Sequence, residues 1–134
     1  MKSKGRWVIT TVVALAVVGI VLVCIYLVRV RLYQDKIKSI QFEQINLADV
    51  PDGSYKGQYD ADIIGAKVAV TVKDGKIIDI QLTEHKNERG ASAEAVIPEI
   101  INEQRVDVDA VTGATNSSKV IEKAVEDALK NQRK

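Results

Sequence analysis

The sequence predicts an α+β protein: an N-terminal transmembrane helix followed by a small domain with a mainly antiparallel sheet and two helices. Three observations carry that reading. Trp7 to Val28 is an unbroken apolar run without a charged residue. Two segments of alternating apolar residues flank Asp74-Gly75. Two stretches with helical apolar spacing then follow, the last of them reaching nearly to the end of the 134 residues. Strands first and helices afterwards is the order of an α+β domain, and a chain of this length allows one such domain.

The apolar run is long enough to cross a membrane, since about 20 residues suffice. Trp7 and Tyr26 lie near its ends, where amphipathic rings favour the interface. The run is too long for an ordinary signal-peptide core, and no Ala-x-Ala-like site follows it, so the segment reads as an uncleaved signal anchor. Cys24 lacks the small preceding residue of a lipoprotein cysteine and reads as an apolar residue within the span. Lys2, Lys4 and Arg6 precede the run, while Arg29 and Arg31 follow it, so charge alone gives a weak orientation. Residues 1–6 are then a short N-terminus, 7–28 the span, 29–50 a stalk and 51–134 the domain. In the stalk, Leu32, Lys36 and Ile40 are spaced to continue the helix outward, with a solvated stalk preferred over a polybasic lipid contact because Asp35 dilutes the charge. Residues 41–50 are a transition with the character of an edge strand.

Composition excludes several functions. The formal net charge is +1 and no basic stripe is interleaved with aromatics, so nucleic acid is not an expected partner. One cysteine forms no internal disulfide and no multi-cysteine metal site. His85 is the only histidine, so a histidine metal cluster within one chain is excluded too.

The domain opens with the turn Pro51-Asp52-Gly53. Ser54 to Tyr59 reads as a strand with Tyr55 and Tyr59 on one face, packing rather than stacking on a ligand. Lys67 to Lys73 alternates with Val68, Val70 and Val72 inward, and the strand from Ile77 to Thr83 returns with Ile78, Ile80 and Leu82 alternating. A two-residue Asp74-Gly75 loop pairs Val72 with Ile77 and sends Asp79 and Gln81 to the valine face. A three-residue Lys73–Gly75 loop pairs Val70 with Ile78 and Val68 with Ile80, which keeps both apolar sets together. The expected turn is therefore type I with a Gly75 bulge. Residues 84–90 read as a polar loop in which the Glu88-Arg89 pair is a solvated face. Pro98 suits the first turn of a short helix, with a separate turn ahead of it. Arg105 to Asp109 alternates Val106 and Val108 between charges, as a short strand does.

The chemistry concentrates in Asp109-Ala110-Val111-Thr112-Gly113-Ala114-Thr115. Gly113 and Ala114 are small enough for a bulky group to approach the backbone. Hydroxyls cluster at Thr112, Thr115, Ser117 and Ser118, and any of Thr115, Asn116 or Ser117 is able to cap the helix that follows. That helix has Val120, Ile121, Ala124, Val125, Ala128 and Leu129 on one face. Glu122 and Glu126 lie toward its start, and Lys130, Arg133 and Lys134 at its end, which suits the macrodipole. The free N–H groups at its start favour an anion such as a phosphate. Taken alone, the segment reads as a plain turn and cap.

This stretch resembles the Asp-x-x-(Ser/Thr)-Gly-Ala-(Ser/Thr) flavinylation motif of the FMN-binding domain family, which includes the C subunit of the sodium-pumping NADH:quinone reductase and the G subunit of the Rnf complex. Asp52-Gly53-Ser54-Tyr55-Lys56-Gly57 is similar to the family's opening, residues 70–80 to its central hairpin, His85 to a loop histidine many members carry, and Pro98-Glu99-Ile100-Ile101 to the helix ahead of the motif. The resemblance spans about Pro51 to Leu129, with Thr112 standing where serine is more usual.

The resemblance implies FMN joined by a phosphoester to Thr115, placed there by an FAD:protein FMN transferase. It implies that Asp109, Thr112, Gly113, Ala114 and Ser117 form the attachment site, with Asp109 and Gly113 shaping the loop. Thr112 is either a phosphate ligand or a turn hydroxyl, and His85 either approaches the flavin or is simply exposed. Because family members are flavinylated outside the cytoplasm, the N-terminus is expected inside and the domain outside. The flavin supplies the redox chemistry and the protein relays electrons without catalysis of its own. The chain lacks the insertions of a full pump subunit, which favours a stand-alone carrier with an unidentified donor and acceptor. A non-covalent FMN module and an anchored interaction domain without flavin are the competing readings.

Overall fold

The computed structural model describes residues 2–86 and 91–132. Helix α1 runs without a break from Lys2 to Lys38. At 1.5 Å per residue its 37 residues extend about 55 Å, well beyond the roughly 30 Å of a hydrocarbon core. Its apolar side chains face no protein: Trp7, Leu15, Leu22 and Leu27 are all exposed. One helix of this length and composition is consistent with a single-pass membrane anchor.

The domain is a three-stranded antiparallel sheet in the order β1 (Gly53–Asp60), β2 (Gly65–Lys73), β3 (Lys76–Lys86). Helix α2 is Val96–Glu103 and α3 is Thr115–Asn131. Short 3-10 turns sit at Leu47–Asp49 and Ala91–Ala95. The α+β class and the antiparallel sheet are as the sequence predicts.

Helix α3 packs on β1 and β2. Val120, Ile121, Ala124, Val125, Ala128 and Leu129 are all buried, as their spacing requires. They meet Tyr55 from β1 and Val68, Val70 and Val72 from β2 in one core. Gly57 explains how closely the layers approach. A Cβ there would lie 2.1 Å from the Ala124 carbonyl oxygen and 2.4 Å from the Ala128 nitrogen. Only a residue without a side chain lets the β1 backbone press onto α3. Tyr55 is buried with its hydroxyl donating to the Pro51 carbonyl at 2.6 Å, a packing role.

The hairpin differs from the expected register. Lys73 pairs with Lys76 and Val72 with Ile77, so the loop is the two residues Asp74 and Gly75. Both have positive φ, 52° and 71°, the signature of a type I′ turn rather than type I. The conflict over faces is resolved inside β3. The register shifts between Thr71 and Val72, so that Val70 pairs with Ile80 and Val68 with Leu82. Ile78 is the extra residue of the bulge and is 51% exposed. One inserted residue lets Ile77 and Ile80 both face the valines.

Three further expectations are corrected. Residues 41–50 form no strand; they run past α3 and end in the Leu47–Asp49 turn. Arg105 to Asp109 forms no strand either; Val106 and Val108 are nonetheless buried. Residues 84–86 belong to β3 rather than to a loop, while the Glu88-Arg89 pair lies outside the described residues. Pro98 does fall in the first turn of α2, behind a separate 3-10 turn.

The open edges of the sheet are closed by side chains. At β3, Gln104 accepts from the Ile77 N–H and donates to the Ile77 carbonyl, both at 2.7 Å. At β1, Asp127 accepts from the Gln58 N–H at 2.9 Å. Each mimics a missing strand. The stretch after the apolar run also belongs to the packed structure: Ile37 and Val50 are buried in the core, with Tyr33, Ile40, Phe42, Ile45 and Leu47 packed against it.

Candidate functional site

The motif loop is built by one turn and one serine. Val111 to Ala114 is a β-turn closed by the Ala114 N–H donating to the Val111 carbonyl at 2.9 Å. Gly113 takes φ of 82° at its third position, where a type II turn demands glycine. A Cβ at Gly113 would meet nothing within 4 Å, so conformation and not space fixes the residue. Ser118, fully buried, pins the turn to the helix. Its Oγ accepts from the Val111 N–H at 3.0 Å and donates to the Ala114 carbonyl at 2.8 Å.

Helix α3 begins at Thr115, earlier than a cap at Thr115, Asn116 or Ser117 would allow. Ala114 is the N-cap and supplies no side-chain hydrogen bond. The first N–H groups of a helix have no internal partners, and among the described residues no side chain caps them. Thr115 itself is exposed, as are Thr112 and Gly113. Thr112 makes no side-chain hydrogen bond among the described residues. The loop therefore offers an accessible hydroxyl beside an uncapped helix start.

Of the other expected site residues, Asp109 is exposed at the entry to the loop and Ala114 is buried beneath it. Ser117 is buried. His85 is neither in a loop nor simply exposed. It lies in β3 with its side chain 4% exposed, and its Nδ1 is 3.2 Å from Glu94 Oε1 in the 3-10 turn that packs on α3.

Two features beside the loop escape sequence reasoning. Asn116 Nδ2 donates to the Tyr33 hydroxyl at 2.7 Å, tying the start of α3 to the end of α1. Glu122, two turns beyond Thr115, is 1% exposed, and its Oε1 has no hydrogen-bond partner among the described residues. Burial first, then Asp107 and more weakly Asp109, push its carboxyl up to about 8, against the opposing charge of Lys119. Glu122 lies three and seven residues before Val125 and Leu129, so helical spacing sets it beside the apolar stripe, and that spacing is the one sequence signal of its burial. A cleft of about 280 Å³ between Phe42, Leu47, Ile77, Gln104 and Leu129 lies toward the other end of α3 from Thr115.

The class defined by this fold and loop is a small α+β domain with an exposed hydroxyl at a helix start. A family model described as the FMN-binding domain matches residues 63–130, just over half of the chain. The chain belongs to the FMN-binding domain family. The match contains the hairpin, α2 and the whole motif loop, and begins after the Asp52–Gly57 segment. Neither the curated proteins nor the solved structures contain a match to the chain.

Proposed function

We propose that Thr115 carries FMN through a phosphoester and that the protein is a membrane-anchored electron carrier, its domain outside the cytoplasm. The observation that carries this reading is the exposed Thr115 hydroxyl at the first position of an uncapped helix, directly after the Gly113 turn. The residues present fit the group. The uncapped N–H groups at the start of α3 suit a phosphate, and the space around Gly113 is open.

Each residue has a definite task. Gly113 and Ser118 hold the loop that leaves Thr115 exposed to a transferase. In the transfer, that oxygen would bond to the FMN phosphorus of FAD, lose its proton and displace AMP. Asp109 would mark the loop for recognition from its exposed position. Ser117, being buried, serves the helix rather than the cofactor. Once bound, FMN supplies reversible electron transfer, and the chain keeps it attached where loss to the medium would be irreversible. His85 would act at most through Glu94 and the packing of that turn on α3.

The test is intact-mass analysis after co-expression with an FAD:protein FMN transferase, with peptide mapping. The expected result is a gain of one FMN on the peptide holding Thr115, lost in Thr115→Ala. An unmodified chain beside an active transferase overturns the covalent reading and leaves a non-covalent FMN module or an interaction domain.

A further inference from the structure

The chain leaving the membrane run does not hang away from the domain; it climbs along it. Arg29, the first residue after the apolar run, forms a bidentate pair with Asp62 at 2.7 and 2.9 Å. Tyr33 accepts from Asn116. Lys36 donates to the Asp60 carbonyl and lies 5.1 Å over the Tyr59 ring. Further on, the Gln41 carbonyl accepts from Lys123, the Glu43 N–H donates to Glu126, and the Glu43 carboxylate pairs with Lys130. Residue 48 reaches the hairpin, where a Cβ on Gly75 would lie 3.4 Å from the Ala48 Cα.

The order of these contacts fixes a polarity. As the chain moves away from residue 28, its partners on α3 advance from 116 to 123, 126 and 130. Helix α3 therefore points its N-terminus toward the membrane run and its C-terminus away. The same end of the domain gathers the end of β1, the start of β2 and the end of β3, since Gly65 pairs with both Asp60 and Lys86. The Lys73–Lys76 hairpin is at the other end, about 27 Å along β2 at 3.3–3.4 Å per residue.

Depth follows from helix geometry. Tyr33 is five residues beyond Val28, about 7.5 Å along α1. The headgroup layer on each side of a bilayer is roughly 5–8 Å thick. Asn116 is held to Tyr33, and Thr115 precedes Asn116. We infer that the Thr115 end of the domain lies against the lipid headgroup layer, so that a flavin on Thr115 meets its electron partner at the membrane plane rather than in bulk solvent. The placement of the end rests on the contacts alone; the statement about the partner also rests on the proposed flavin.

The test uses the unflavinylated full chain, so that its failure leaves the flavin reading untouched. In a Cys24→Ala background, Thr112→Cys at the motif loop and Lys73→Cys at the hairpin each receive one fluorophore. The proteins are placed in phosphatidylcholine vesicles containing lipids with nitroxide on the headgroup. The expected result is loss of more than half the emission at position 112 and near-full emission at position 73. Equal quenching at the two positions, or stronger quenching at 73, overturns the inference. Ser92→Cys, exposed in the turn that carries Glu94, gives a second reading of the same end if Thr112→Cys fails to fold.

Discussion

Thr115 and Ser118 sit one turn apart on α3, and their substitutions separate chemistry from architecture. Thr115→Ala removes an exposed hydroxyl that caps nothing. It should abolish flavin attachment while leaving the melting temperature nearly unchanged. Ser118→Ala instead leaves the Val111 N–H without its acceptor in a part-buried loop. It should cost about 1–3 kcal/mol in urea unfolding and lower flavin loading by loosening the turn. Glu122 gives a different prediction. Its carboxyl is pushed up to about 8 from 4.5, so the folded state holds the proton that the unfolded chain releases. This stabilisation is present below about pH 4.5 and is lost as pH rises toward 8. The loss across that window is on the order of a few kcal/mol. Glu122→Gln should remove that slope in a pH series of urea midpoints; an unchanged slope would assign it elsewhere. The motif itself was legible in the sequence because its turn chemistry is local: Gly113 needs its φ whatever the rest of the fold does. The burial of Glu122 was not, since it depends on Asp107, Asp109 and the packing around α3, which come together only in three dimensions.

At the scale of elements, periodicity marked the principal strands and helices, and local conflicts hid where segments pair. The valine alternation of β2 and the apolar stripe of α3 were both readable, because each is set by one repeating contact surface. The hairpin register was not. Asp74-Gly75 favours a two-residue turn, the alternation of Ile78, Ile80 and Leu82 favours three, and a bulge at Ile78 satisfies both. Residues 105–109 alternate like a strand yet pair with none, since burying Val106 and Val108 requires only contact with the core. Gly57 is the element-scale position most open to test. Replacement by alanine puts a methyl against the Ala124 carbonyl and the Ala128 backbone, which no rotamer change relieves. The layers must separate, and the expected cost is roughly 1–3 kcal/mol or more, read as a lower urea midpoint. Gly65→Ala is the control, because its Cβ would meet its nearest neighbours at 3.4 Å, an ordinary contact.

For the whole molecule, the decisive residues are those between the apolar run and the turn at Pro51. The sequence suggested a solvated stalk there, because charged residues at 29, 31, 35, 36 and 38 mask the few apolar ones between them. Ile37 is nonetheless 2% exposed and part of the domain core. A side chain in that position does two things at once: it adds buried apolar area, and it locks the end of α1 to the body that carries Thr115. Ile37→Ala should therefore cost roughly 2–4 kcal/mol, within the range for deleting a buried isoleucine, measured by urea unfolding of the detergent-solubilised chain. A flexible tether would lose nothing from the same change. The neighbouring exposed pair Arg29–Asp62 offers the contrast. It is solvent-screened, so Arg29→Ala should leave the midpoint in place. The anchor and the domain are thus coupled through packing at Ile37 rather than through charge. Weakening that packing should free the Thr115 end from a fixed height before it unfolds the sheet.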